Sequence, residues 1–169
     1  PAMNSRRHKE EIVFPHRACP VRVITWRQPK DPRYDLAYHR AFEAHLIRQG
    51  HGNYLIEGEL HPFAPNSVIV IPPNQVHRFL PAPGETNERI SLHLLLDWLA
   101  LESHEWNRLR QSPHRLVLNA LESATLNLIL QRIQEELRKQ PPDWHTMIRL
   151  MLREFLVLLQ RAQVHPQSF

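Results

Sequence analysis

The sequence has one cysteine and four glycines among its 169 residues. A single cysteine cannot close an internal disulfide or provide the paired cysteines of a structural zinc site. Cys19 is therefore expected to be a small buried hydrophobic residue in a reducing compartment. The glycines do not form a phosphate-binding loop, and no serine stands in the pattern of a nucleophile elbow. The sequence thus carries no signature of the common phosphate-binding or serine-nucleophile enzymes.

The chain also lacks a long apolar segment and a strong excess of either charge. Its most apolar stretch, ISLHLLLDWLAL, is interrupted by His93 and Asp97 and falls short of the roughly 18 apolar residues that indicate a transmembrane helix. No secretory signal opens the sequence. The formal net charge is +4, and the basic residues are scattered apart from RRHK at 6–9, which makes no nucleic-acid-binding surface. We therefore expect a cytoplasmic protein without membrane contact.

From about residue 12 to 98 the sequence is typical of short β-strands. Stretches rich in β-branched residues, such as VRVITW at 21–26 and SVIVIP at 67–72, alternate with turn-forming residues. The stretch GNYLIEGELHPF predicts a β-hairpin with Glu57–Gly58 at its turn. Many short strands separated by turns indicate an antiparallel sandwich or barrel.

After residue 98 the apolar residues follow a helical period and predict two helices joined at QPPD. Ser123 is a candidate cap for the first helix, and Asp143 is a candidate cap for the second. Their wide apolar stripes must be buried, either on the β-domain of the same chain or against a second copy. We favour a homodimer that uses at least part of the stripes. The predicted dimerisation residues are Leu126, Leu130, Ile133, Leu137, Ile148, Met151, Leu152 and Phe155.

Polar residues that could bind a ligand or take part in catalysis lie in the segment YHRAFEAHLI. Here His39, Glu43 and His45 are separated by even intervals. In a single β-strand the three side chains would point to the same face. Burying two histidines and a glutamate is costly unless the interior is wet or holds a ligand. The spacing therefore favours a polar pocket over a dry core.

These residues carry a resemblance to the cupin family. A histidine, three residues, a glutamate, six residues and a glycine resemble the second half of the first cupin motif, here His39, Glu43 and Gly50. The second motif is similar to Pro72 followed five residues later by His77. The resemblance implies a cupin-like, jelly-roll β-barrel with these histidines pointing inward.

The sequence departs from the cupin motifs at three positions. Ala37 stands where the first motif begins with a further histidine, Asn74 where the second has glycine, and Pro81 where it often closes with asparagine. Cupins that act as sensors often lose metal ligands and keep the barrel. Two histidines and a carboxylate can still hold Fe(II) or another divalent ion. The retained metal positions are His39, Glu43 and His77.

The order of the segments over about residues 20–165 resembles the N-terminal sensing domain of AraC-family transcription regulators. In that family a helix pair used for dimerisation follows the barrel, and a DNA-binding domain follows the helices. The resemblance implies an effector-sensing and dimerisation domain without enzymatic activity, which contacts DNA only through a C-terminal domain not present in this chain. It also implies an N-terminal arm at 1–20, a barrel at 21–98 and a helical segment with dimerisation helices at 99–165.

The implied effector is a small molecule inside the barrel, either a sugar or a small aromatic compound, because Trp26 and Tyr54 can form an aromatic wall. No cofactor is expected. The alternative is a stand-alone metal-dependent cupin enzyme, of dioxygenase or isomerase type, which would use the three retained metal positions. The missing histidine at Ala37 and the helix pair argue against it. The predicted ligand-binding residues are Trp26, His39, Glu43, His45, Tyr54, His77 and His93.

Overall fold

The computed structural model describes residues 8–28 and 35–162, and ten strands and three α-helices lie in these two segments. Residues 1–7 of the predicted arm and 163–165 of the predicted helical segment lie outside them. The strands are β1 (His8–Lys9), β2 (Val21–Gln28), β3 (Ala37–Tyr38), β4 (Phe42–Gln49), β5 (Gly52–Ile56), β6 (Glu59–Phe63), β7 (Ser67–Ile71), β8 (His77–Pro81), β9 (Asn87–Leu94) and β10 (Arg115–Val117). The helices are a 3₁₀ helix (Leu96–Leu99), α1 (Ser103–Arg110), α2 (Ala120–Lys139) and α3 (Trp144–Ala162).

The strands form two facing sheets, and the predicted jelly-roll fold is confirmed. The first sheet has the order β1-β3-β8-β5-β6 and is called here the β8 sheet, and the second has the order β10-β7-β4-β9-β2 and is called the β4 sheet. Neighbouring strands are antiparallel except for β1 and β3. Strand β10 comes after residue 98 and pairs with β7, so the chain returns to the sheet between α1 and α2.

The predicted hairpin is formed by β5 and β6. Ile56 pairs with Glu59, which leaves a two-residue loop. Both loop residues have positive φ, at 49° for Glu57 and 90° for Gly58. This is the geometry of the tight turns whose twist matches that of the flanking strands.

The cap of the first long helix lies four residues before the predicted one. Asn119 caps α2 because its side chain accepts a hydrogen bond from the Glu122 backbone, and the Glu122 side chain accepts one from the Asn119 backbone. The prediction of Ser123 as the cap is wrong, because its N–H already donates to the Asn119 carbonyl inside the helix. Asp143 directly precedes α3, as predicted, and its carbonyl accepts the Met147 N–H at 3.1 Å.

Strand β4 is buried on both faces, which places the core on both sides of the β4 sheet. Phe42, Ala44 and Leu46 join the cluster that contains the apolar residues of α2 and α3. Ile47 joins a second cluster between the two sheets. Even-numbered residues of β4 therefore face the helices, and odd-numbered residues face the interior of the sandwich.

The eight predicted dimerisation residues all lie in the core of one chain. Their exposed fractions range from 0 to 8% because the two helices cover the outer face of the β4 sheet. The β4 sheet thus buries the stripes within one chain, which is one of the two arrangements that the sequence left open. The residues concerned are Leu126, Leu130, Ile133, Leu137, Ile148, Met151, Leu152 and Phe155.

Polar side chains fix α2 to the sheet beneath it. Arg48 at the end of β4 donates to Asn127 of α2 at 2.9 Å and to Glu88 of β9 at 3.2 Å. Gln134 of α2 donates to the Val23 carbonyl at 3.2 Å. Along the described helices, no segment is both long enough and apolar enough to cross a membrane.

Replacing Leu130 with alanine should lower the free energy of unfolding by about 2–5 kcal/mol, because its fully buried side chain fills the space between α2 and the sheet. Gln131→Ala on the same helix is the matched control, since Gln131 is exposed. Its effect should stay within about 0.5 kcal/mol. Urea unfolding of both variants measures the difference, and equal losses would contradict the observed orientation of α2.

Candidate functional site

A buried carboxylate occupies the centre of the sandwich interior. Glu43 lies in β4 between β7 and β9, directly opposite Ile71 on one side and His93 on the other. Its odd position turns the side chain inward, and the residue is 3% exposed. His45, two residues on, points the same way and pairs with Ser91 of β9. Strand register and parity thus bring four polar side chains, those of Glu43, His45, Ser91 and His93, to one inner surface.

Four histidines surround the Glu43 carboxylate, and each is at most 8% exposed. The Nε2 atoms of His39 and His45 contact its two oxygens directly, at Oε1 and Oε2. The Nε2 atoms of His93 and His77 lie 3.5 Å and 3.7 Å from Oε1. The parity prediction placed His39 in the same strand as Glu43. However, β4 begins at Phe42, so His39 lies before the strand. It reaches the carboxylate from the loop between β3 and β4.

The charge distribution in this cluster follows from burial and pairing. Burial disfavours the Glu43 carboxylate, but His45, His93 and the hydrogen bonds from His39 and His45 outweigh it, so the pKa of Glu43 lies well below its usual value. Burial also disfavours a charged His39, yet its contact with Glu43 prevails and raises the pKa of His39. Burial lowers the pKa of His45, and it lowers that of His93 to about 3. The carboxylate is therefore paired chiefly with a protonated His39.

The neutral histidines have defined hydrogen-bonding roles. An ionised Glu43 can only accept, so the Nε2 of His45 donates to it and its Nδ1 accepts from the Ser91 hydroxyl at 2.7 Å. The guanidinium of Arg22 lies 3.4 Å from the Nε2 of His93 and donates to it. The Nδ1 of His93 then carries the proton. Among the described residues this buried atom has no hydrogen-bond partner, so it is available to a ligand.

A cavity of about 160 Å³ lies beside the carboxylate. Six of the seven predicted ligand-binding residues line it, and His39 is the exception. The six are Trp26, Glu43, His45, Tyr54, His77 and His93. Tyr54 stacks on His45 with ring centroids 5.1 Å apart and also packs against Phe63 and Phe79. It therefore serves the core as well as the cavity wall.

The predicted ligand-binding residues do not include the arginines of the cavity. Arg22, Arg78 and Arg89 line it together with Glu10 and Asp35. Arg89 is buried, and its guanidinium lies 4.1 Å from the centroid of the Phe79 ring and 5.6 Å from that of Trp26. The sequence did contain a signal for them. Arg89 lies an even number of residues from Ser91 and His93 along β9, and Arg22 from Trp26 along β2, so each set shares one face of its strand.

The local backbone explains the residue types found at three positions of the cupin-like motifs. Gly50 has φ +92°, and a Cβ there would lie 2.1 Å from the Asn87 side-chain oxygen. Asn74, at the position usually held by glycine, has φ 67°, a left-handed conformation that asparagine tolerates better than most residues. Ala37, at the position of the missing histidine, pairs with His77 across the sheet and lines the cavity.

The arrangement also fits a divalent metal ion. The donor atoms of His39, Glu43 and His77 all lie within 4.8 Å of one another, and all three residues are buried. Two imidazoles and one carboxylate suit Fe(II), Mn(II) or Zn(II). The Nε2 of His39 has no hydrogen-bond partner among the described residues apart from its ion pair with Glu43. These residues could hold the ion only with a neutral His39.

Comparisons with known proteins place this geometry in context. The family model described as AraC-like ligand binding domain matches residues 19–155. The crystal structure of the AraC-like transcriptional activator CuxR is similar with a TM-score of 0.58 at 12% identity, over 90% of this chain and 56% of that one. This likeness supports the fold over nearly the whole chain.

Smaller stretches are similar to other solved structures. A cupin-like protein from Thermotoga maritima gives a TM-score of 0.42 at 21% identity over 47% of this chain and 60% of that one. A predicted oxalate decarboxylase from the same organism gives a TM-score of 0.42 at 20% identity, over 46% of this chain and 69% of that one. No curated protein sequence matches the chain.

The free energy of unfolding should fall as the pH is lowered from about 6.5 toward 3. In this range unfolded histidine binds a proton, whereas the folded His93, with its pKa lowered to about 3, does not. The unfolded state therefore binds more protons, and acid destabilises the fold. Urea titrations at several pH values give the free energy of unfolding. In His93→Gln this free energy should depend less steeply on pH. An unchanged slope would contradict a neutral, buried His93.

Proposed function

Because the chain belongs to the family of AraC-like ligand-binding domains, we propose that it senses a small-molecule effector held in the cavity between its two sheets. The observation that carries the proposal is the buried Glu43 with its four histidines beside that cavity. Such a polar cluster is costly in a dry core. Its directional donors and acceptors offer specific contacts to a polar ligand.

The proposed effector is a sugar or a small aromatic compound. Trp26 is half-buried at the cavity and offers an apolar ring face, while His77 and the Nδ1 of His93 offer hydrogen bonds. Hydroxyl groups on such a ring would pair with these nitrogens. The cavity volume of about 160 Å³ suits a single small ring.

Effector binding would be read out by a separate C-terminal DNA-binding domain. The chain spans 56% of the length of the AraC-like activator that it resembles. In this proposal the ligand stabilises one arrangement of the sandwich and its helices, to the extent that it binds that arrangement more tightly. The chain itself is then a sensor without catalytic activity.

A panel of monosaccharides and small aromatic compounds should contain a ligand that raises the Tm of the chain. Its affinity, measured by calorimetry, should fall between about threefold and tenfold in His77→Gln, since one hydrogen bond to the cavity wall is lost. His104→Gln is the matched control because His104 is exposed on α1. The proposal fails if no compound binds, or if the two variants bind equally tightly.

A metal-dependent cupin enzyme of dioxygenase or isomerase type is the second candidate, and the convergence of His39, Glu43 and His77 favours it. When bound, the metal would act as a Lewis acid toward a substrate in the cavity. Mass-spectrometric metal analysis after exposure to Fe(II), Mn(II) or Zn(II) separates the candidates. About one equivalent of metal per chain, lost in His77→Gln, would support the enzyme, and a metal-free chain would support the sensor.

Homodimerisation forms the second part of the proposal, now with a different set of residues. Large apolar side chains remain exposed on the outward sides of both helices, each pair seven residues apart and thus on one helical face. They are Leu121 (77%) and Leu128 (56%) on α2, and Leu150 (59%) and Val157 (43%) on α3. Burying these side chains against a second copy would stabilise a dimer.

The chain should sediment as a dimer, and the double variant Leu128→Asp with Leu150→Asp should be monomeric. Two buried carboxylates without partners would oppose association strongly. Leu60→Asp on β6 is the control, since Leu60 is 60% exposed but lies away from the helices. Sedimentation equilibrium decides the question: a monomeric wild type, or a dimer that survives the double substitution, contradicts this interface.

A further inference from the structure

A second and larger cavity lies outside the sandwich interior. It has a volume of about 750 Å³ and sits at the end of the β4 sheet where β2 and β4 begin and β7 and β9 end. The segment before β2, the turn between β7 and β8, the 3₁₀ helix and α1 line it. No described residue lines both this cleft and the cavity beside Glu43. The cleft is therefore a separate candidate site.

The cleft is positively charged. Arg17, Arg40 and Arg110 line it, and Asp97 is the one acidic residue among the described lining residues. Within the described part of the chain, none of the three arginines forms an ion pair with a carboxylate. Three exposed arginines from three different segments thus line one cleft without an anionic partner. A bound anion would form charge-assisted hydrogen bonds with them.

Two tryptophans give the cleft aromatic walls. The indole N–H of Trp98 donates to the Ala18 carbonyl at 3.0 Å, and the Arg149 guanidinium lies 4.2 Å from the centroid of its ring. Trp106 lies in α1 with Arg110 at 5.6 Å from its ring. Both indoles are half-buried, and Trp98 is held in place by its hydrogen bond. Fixed indole rings favour a flat ligand that stacks on them.

We propose that this cleft binds a small planar aromatic molecule carrying a carboxylate or a phosphate group. The tryptophans would hold the ring, and the arginines would hold the anionic group. The volume of about 750 Å³ lies in the range of small-molecule sites. The site is distinct from the proposed effector cavity and would take a second, charged ligand.

The cleft is joined to the histidine cluster through the backbone. Arg40 directly follows His39, whose carbonyl accepts the Asn74 N–H at 2.7 Å. The Gln75 carbonyl accepts a hydrogen bond from the Nδ1 of His77 at 2.9 Å. A ligand that orders the turn from Pro72 to Gln75 therefore acts on the segments that position His39 and His77. Any resulting change in affinity at one site must be matched at the other.

Calorimetry with salicylate and with adenosine monophosphate tests the proposal and distinguishes a carboxylate from a phosphate ligand. At least one of them should bind ten times more tightly than both inorganic phosphate and benzyl alcohol, which lack the ring or the charge. Arg40→Gln and Arg110→Gln should each weaken that binding about tenfold. Arg132→Gln, at an exposed position on α2, should leave it unchanged.

The indole N–H signals in an NMR titration locate the ligand, because the chain has four tryptophans. The signals of Trp98 and Trp106 should move on binding. The proposal is overturned if neither probe binds, if phosphate alone binds as tightly, if Arg132→Gln weakens binding as much as Arg40→Gln, or if Trp26 moves instead. The last result would place the ligand in the cavity beside Glu43.

Discussion

The buried Glu43 carboxylate is the interaction on which the interior of this domain depends. A charge inside a sandwich is tolerated only when it is paired and hydrogen-bonded. The direct contacts from His39 and His45 meet that requirement, and the remaining two histidines complete the polar surround. Because these side chains come from β4, β8, β9 and the loop before β4, the carboxylate links both sheets.

The same strand links the polar interior to the helices. The even-numbered residues of β4 pack under α2 and α3, while its odd-numbered residues hold the cluster beside the cavity. A change at the inner face of β4 is therefore one residue away from the helix-packing face. In the proposed sensor, this shared strand is a physical route by which an occupied cavity could affect the helices.

Parity and motif spacing predicted much of the site, because both depend only on local backbone geometry. Glu43 and His45 point inward as alternating strand residues should, and the hairpin turn at Gly58 adopts the conformation that glycine favours. Strand parity does not explain how His39 reaches the cluster, since His39 lies in a loop. The cavity arginines were left out of the predicted set, because placing Arg22 on a face required the pairing of β2 with β9.

The helices show the limit of a periodic pattern. The pattern identified the buried stripes correctly, but it could not tell whether the β4 sheet or a second copy covers them. That distinction depends on the tertiary packing of α2 on the sheet. Ser123 failed as a cap for a similar reason, because the reciprocal hydrogen bonds of Asn119 and Glu122 begin the helix earlier.

Imidazole ¹⁵N NMR across pH tests most directly whether the Glu43 charge is balanced by a protonated His39. The account predicts an apparent pKa of His39 above the usual 6.5, which falls in Glu43→Gln because that variant removes the carboxylate that raises it. His45 and His93 should remain neutral at pH 6.5 in the wild type. A neutral His39 at pH 6.5, or a His39 pKa that is unchanged in Glu43→Gln, would contradict the account.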